Sequence, residues 1–211
     1  QVLMAVQGYA SPEVEIVQNR CIEICRSLGD RAPLFPVLLA NWVWLFVRGR
    51  FDDCYKRCPE VIAIAEATRG PGMMAEAHWT QVCTSFYAGD FPTTLKHAQI
   101  GWNHHEVESS IEYAKFTQQN SGPLNLSNLG LALWQLGYAQ QGIAKVHEAL
   151  QLSINLKHVF TQAVMEWMVA QVYEFALIGD KAVEYGKRCR QIGNEQAFAM
   201  WQGMGNGIIG I

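Results

Sequence analysis

The stretch Leu129-Gly130-Leu131-Ala132-Leu133-Trp134-Gln135-Leu136-Gly137-Tyr138-Ala139 decides how the chain is read. Apolar residues recur at three- and four-residue spacing up to Leu136, Gly137 interrupts, and a second periodic segment starts at Ala139. That spacing is one face of an α-helix. A glycine just past the last periodic residue ends a helix well, because it enters the left-handed conformation without a Cβ clash. The same phrase returns as Arg48-Gly49-Arg50-Phe51-Asp52, Ala88-Gly89-Asp90-Phe91 and Ile178-Gly179-Asp180-Lys181. An Asp just after the glycine can cap the next helix. The four glycines lie 40, 48 and 42 residues apart, the period of a helix–turn–helix repeat.

Outward from these turns, the periodicity predicts about ten helices and no sheet. They run over 13–28, 34–48, 52–68, 73–88, 92–105, 123–136, 139–155, 159–178 and 180–193, with another starting near 196. The end of a further helix is expected within the first residues. A small side chain recurs five residues after each turn glycine, at Cys54, Thr94 and Gly142, and would let paired helices approach closely. In the fourth unit Ala182 serves, three residues after Gly179, if that turn is two residues shorter. Paired units are expected at 34–68, 73–105, 123–155 and 159–193, with partial units at both ends, in one domain over 1–211. Thr68-Arg69-Gly70-Pro71-Gly72 and the polar stretch from Asn103 to Gly122 read as the longer connections.

Unit three carries the fullest signature, with Leu129-Gly130, Trp134, Gly137 and Ala149-Leu150. It resembles the tetratricopeptide repeat, which implies antiparallel helix pairs stacked in a right-handed superhelical solenoid. Gly8-Tyr9-Ala10-Ser11-Pro12-Glu13-Val14, Cys25-Arg26-Ser27-Leu28-Gly29-Asp30, Leu34-Phe35-Pro36-Val37-Leu38 and Leu131 to Tyr138 sharpen the likeness. In this order they resemble the C-terminal repeat region of bacterial signalling proteins that also carry an adenylate/guanylate cyclase domain and an AAA-type ATPase. The sequence itself contains neither a cyclase Asp pair nor a G-x-x-x-x-G-K-[ST] loop. The resemblance implies a non-catalytic protein–protein interaction or regulatory module.

Composition agrees with a well-packed helical chain. Of 211 residues 50% are hydrophobic and 17% charged, with 7 Trp, 9 Phe and 7 Tyr. So many large apolar side chains need an extensive core or a lined groove. A net charge of −3 gives no basic face for nucleic acid. No apolar run approaches the ~18 residues of a membrane span. The start, Gln1-Val2-Leu3-Met4, shows no secretory leader and no initiator Met, so a cytoplasmic piece of a longer chain is expected.

Cys21/Cys25 and Cys54/Cys58 sit at i, i+4 spacing, and four thiolates from two helices could hold zinc. Zinc cysteines are usually grouped around turns, and Cys54 falls at the small-residue crossing, so packing is the expectation. His104-His105-Glu106 and Glu108 read as a helix end, because adjacent His point to different sides of a helix. Gly203, Gly205, Gly207 and Gly210 lack the strand that a nucleotide-binding glycine loop requires, and read as a glycine-weakened helix. His78 and His97 read as core or groove residues. No catalytic set, metal site or cofactor is expected.

In a solenoid of this class the first helix of each pair lines the concave surface. The turn register then gives Leu39, Val43, Phe46 and Val47 in unit one and Glu76, Trp79, Cys83, Phe86 and Tyr87 in unit two. Unit three gives Ser127, Leu131, Trp134 and Gln135, and unit four gives Glu166, Val169, Tyr173 and Leu177. Phe46, Trp79, Phe86, Tyr87, Trp134 and Tyr173 are the candidate partner-binding residues, with Trp79 the expected binding wall and Trp134 the more structural. Such a surface suits a protein or peptide partner, other domains of a parent chain, or a second copy. The alternative is a sensor closing round an apolar small molecule or peptide. The bland possibility, that the same aromatics are ordinary core, stands beside both.

Overall fold

In the computed structural model residues 11–29, 33–70 and 72–210 are described. They form eleven helices and no strand. These are α1 (Pro12–Leu28), α2 (Leu34–Val47), α3 (Phe51–Thr68), α4 (Met73–Tyr87), α5 (Phe91–Asn103) and α6 (Val107–Thr117). Then come α7 (Ser121–Gln135), α8 (Ala139–Asn155), α9 (Val159–Phe175), α10 (Gly179–Glu195) and α11 (Ala199–Ile209). The further helix expected in the first residues, and the Gly8 to Ala10 part of the resemblance, lie outside the described residues.

Apart from α6, each helix packs on the next, and α2, α4, α7, α9 and α11 also touch one another in sequence. The chain is thus an all-α helical-repeat solenoid with α2, α4, α7, α9 and α11 as its inner row. The outer row is α1, α3, α5, α8 and α10. Helix α6 stands apart and rests on α7. It corrects the reading of Asn103 to Gly122 as a connection. Too short and polar to announce itself by periodicity, it accounts for the long 48-residue step between Gly89 and Gly137.

The turns share one hydrogen-bond geometry. Gly49 N–H donates to Phe46 O and Arg50 N–H to Leu45 O; Gly137 N–H donates to Trp134 O and Tyr138 N–H to Leu133 O. This is the Schellman arrangement, which satisfies the last carbonyls of a helix and needs one left-handed residue. Gly49, Gly89 and Gly137 take that conformation, and so do Lys157, Leu177 and Ala197 with φ of 53°, 55° and 56°. From Gly137 to Ala197 the left-handed residues fall every 20 positions. The fourth repeat turn is therefore centred on Leu177, and Gly179 is the first residue of α10. Ala182 then stands five residues after its turn residue, like Cys54, Thr94 and Gly142, and the shorter turn expected there is not needed.

All four small residues are buried where outer crosses inner helix. The tightest crossing joins α7 and α8. A Cβ on Gly142 would lie 2.6 Å from Gly130 O and 2.8 Å from Trp134 N, both rigid backbone. Near the other end Gly205 of α11 meets Gly186 and Arg190 of α10 in the same way, which explains glycines inside that helix. Asp90 caps α5 by accepting from Thr93 N–H at 3.1 Å, as expected.

Two substitutions test this scheme. Leu177 is 91% exposed, so Leu177→Gly removes left-handed strain without losing packing. After the entropy cost of glycine, denaturant unfolding should show a gain of roughly 0.5–1 kcal/mol. Gly142→Ala should cost about 1–3 kcal/mol by forcing α7 and α8 apart.

Candidate functional site

The inner row lines a half-open cavity of about 450 Å³. Its first wall comes from Leu39, Val43, Phe46 and Val47 of α2 and Trp79, Cys83 and Tyr87 of α4. Leu39, Val43 and Val47 are followed 40 residues later by Trp79, Cys83 and Tyr87, so one register repeats in both helices. The opposite wall is built from Leu124 and Asn128 of α7, Phe160, Val164, Trp167 and Met168 of α9, and Met200, Trp201 and Met204 of α11. The end of α6, at Thr117 with Gln118 and Gln119, borders one side. Aromatic contacts fix the walls. Trp42 packs edge-on to Trp79 at 5.0 Å, Phe46 lies 5.3 Å from Tyr87, and Phe160 lies 5.7 Å from Trp201.

Of the six candidate residues, Phe46, Trp79 and Tyr87 border this cavity, whereas Phe86, Trp134 and Tyr173 do not. Phe86 is buried at the α4–α5 turn against Tyr87 and Phe91. Trp134 packs on Phe175, at 5.5 Å. The Tyr173 hydroxyl meets His147 Nε2 of α8 at 2.9 Å, and its ring stacks on Tyr185 of α10, so it faces the outer row. In units three and four the glycine register runs about one helical turn too far along. The facing residues of α7 are Leu124 and Asn128 rather than Ser127, Leu131, Trp134 and Gln135. In α9 they are Phe160, Val164, Trp167 and Met168 rather than Glu166, Val169, Tyr173 and Leu177. The sequence did hold a signal for them. Leu124, Val164 and Met204 stand 40 residues apart, as do Phe160 and Met200. Trp79 is also 8% exposed, so this wall residue is core as well.

Among the described residues no Asp, Glu, Lys, Arg or His borders the cavity. Its two titratable groups are poor nucleophiles near neutrality. Burial pushes the Cys83 thiol far above its ordinary value and the Tyr87 hydroxyl up to about 12. A second depression between α1, α2 and α3 is charged, but its groups pair among themselves, Arg50 with Glu15 at 3.1 Å and Asp53 at 2.7 Å. Cys54 and Cys58 are fully buried, with thiols raised by burial, and Cys21 and Cys25 are half-buried on α1. Among the described residues no group of three or more His, Cys, Asp or Glu comes together as a metal site.

Two further perturbed groups lie in α4, on residues outside the cavity wall. Glu76 is 0% exposed and neither carboxylate oxygen has a partner of good geometry, although Ser121 is nearby. Burial raises its pKa to about 8. His78 Nδ1 meets His97 Nδ1 at 2.9 Å, and burial, with His97 beside it, holds His78 down to about 4.

No protein-family model matches the chain, and no curated protein matches its sequence. Among the described residues no helix is long and apolar enough to cross a membrane.

The buried pair of titrations gives a signed prediction. Glu76 is raised from 4.5, so its contribution is intact below that value and is lost as pH rises through about 8. His78 is lowered from 6.5, so its contribution is intact above that value and is lost as pH falls through about 4. The two slopes oppose each other between 4.5 and 6.5. Above that window Glu76 acts without opposition from His78, and about 2 kcal/mol of stability should vanish between pH 6.5 and 8. Glu76→Gln should remove most of that alkaline loss in unfolding curves taken across the range.

Proposed function

We propose that this chain is a non-catalytic recognition module and that the cavity between the inner helices is its binding site. The supporting observation is a concave, half-open cavity of about 450 Å³ walled by Trp, Phe and Met, with no charged side chain among the described residues that line it. Ligand sites are commonly 300–1,000 Å³, largely apolar and lined with aromatic side chains. Size also argues for the kind of occupant. An α-helix with its side chains is about 10–12 Å across, so such a volume holds only about one turn of it. An extended peptide would also bring backbone N–H and C=O groups, for which this lining offers few partners. A compact small molecule fits both constraints, which favours the sensor alternative. In a signalling chain of the kind the sequence resembles, an occupant touching both walls would stiffen the repeat and bias neighbouring domains.

Protein interaction is the second reading, and it draws on a different surface. Helix α1, in the outer row, leaves Ile16 and Leu28 each 71% exposed, with Val17 and Ile24 about half so. The occupant of this reading is a second copy, stacked through α1. Size-exclusion should then show a dimer at micromolar concentration that Leu28→Glu dissociates. A monomer at every concentration removes this reading.

The cavity reading is tested with Ala40→Trp, which projects a large ring from the half-buried edge of the wall. Uncharged fragments should raise the melting temperature of the wild type by a few degrees and leave the variant unmoved. Fragments that stabilise both proteins equally would place binding elsewhere.

A further inference from the structure

Among the described residues that line the cavity, Asn128 offers an acceptor whose remaining valence is unused, whereas the unpartnered indole N–H groups of Trp79 and Trp201 are sealed within the wall. Asn128 of α7 is 1% exposed and borders the cavity. Its Nδ2 donates to Leu124 O at 2.8 Å, one turn back along its own helix. That bond fixes the amide's orientation, since a flipped amide would set oxygen against oxygen. The carbonyl oxygen Oδ1 is left, with two lone pairs and no donor from the described residues. Among the described residues no charged side chain lines the cavity. An ionic ligand would lose its hydration and find no counter-charge, whereas a neutral molecule loses little.

We infer that the cavity selects an uncharged, mainly apolar small molecule carrying a single hydrogen-bond donor, a hydroxyl or N–H, which it gives to Asn128 Oδ1. The inference rests on the reading of the cavity as the binding site and adds its selectivity. The aromatic and methionine walls take the apolar body by contact. Asn128 decides which end enters and discriminates against a hydrocarbon of the same shape. The absence of a lining charge discriminates against acids and amines.

Three fluorescent probes of nearly one shape separate these claims. N-phenyl-1-naphthylamine is neutral with one N–H, its N-methyl derivative is neutral without it, and 1-anilinonaphthalene-8-sulfonate carries the N–H with a fixed negative charge. The wild-type chain should bind the first with a single site, and the N-methyl derivative roughly tenfold more weakly, the worth of one hydrogen bond left unmade. The sulfonate should bind at least tenfold more weakly than the neutral amine. Asn128→Leu, similar in size, should bind the amine and its N-methyl derivative alike. Because the three probes are compared first on the wild type, the inference stays decidable even if the variant fails to fold. Equal affinity for the sulfonate and the amine, or a preference for N–H that survives in folded Asn128→Leu, overturns it. No binding of the amine overturns it too. Ala40→Trp keeps the two levels apart. Amine binding that this variant leaves intact defeats the cavity reading itself. Binding that it abolishes, with no preference among the probes, defeats only the selectivity.

Discussion

The distance between inner and outer helices at each crossing governs the rest of this architecture. Where Gly142 meets Gly130 and Trp134, backbone touches backbone and a single methyl group does not fit. Cys54, Thr94 and Ala182 hold the same station in the other pairs. Each station lies a fixed five residues beyond a left-handed turn residue, so the turn sets which side chain arrives at the crossing. Close packing there brings the inner helices into contact in sequence. The curved inner row then has a concave face, and the cavity is what its large side chains leave unfilled.

The all-α class and paired helices were legible because glycine marks a left-handed turn unambiguously, as at Gly49, Gly89 and Gly137. Lys157, Leu177 and Ala197 perform the same turn with side chains that give no such mark. The conformation costs them strain that two backbone hydrogen bonds per turn offset, as at Leu177 and Ile178. Gly179 stood close by and drew the register two residues off, which is why Ala182 looked irregular. Helix α6 escaped for a different reason. Val107 to Thr117 is short and mixed in polarity, and it packs on one neighbour, so it has no broad apolar stripe to show.

The candidate site was half legible, and the division follows the physics of burial. In α2 and α4 the cavity residues repeat at 40, and the sequence register found them. Helix α7 is buried on every side from Ser121 to Ala132, so periodicity cannot separate its cavity face from its core faces. Burial on all sides also explains the polar content of the inner row. Thr84 donates to Thr80 O, Ser85 to Gln81 O, Asn125 to Ser121 O and Asn128 to Leu124 O, each within its own helix. Such bonds satisfy hydroxyl and amide donors locally and ask nothing of the neighbouring helix. They do nothing for a carboxylate or for the second atom of an amide. Glu76, Glu166 and the amide oxygens of Asn41, Asn125, Asn128 and Gln171 are therefore among the places where the inner row departs from self-sufficiency. The two carboxylates appear as raised titrations, and Asn128 as an acceptor on the cavity wall.

Trp79 shows why stability and recognition are not separable here. A residue on an open groove lacks neighbours on one side, and its removal costs little. Trp79 instead stands edge-on to Trp42 and is nearly sealed, while one part of its surface still forms the wall. Truncating it would leave a cavity in the core at a cost of about 3–5 kcal/mol, whatever it does to binding. Trp201 is in the same position on the opposite wall, 5% exposed and packed on Phe160. The aromatic residues that shape the enclosure are thus those that hold the inner row together. An occupant packed against both walls adds contacts to the same network that resists unfolding, so binding must raise stability in proportion to its affinity and concentration. In a curved stack of repeats joined only through near neighbours, that gain falls on the contacts between its two ends, which the backbone itself does not link.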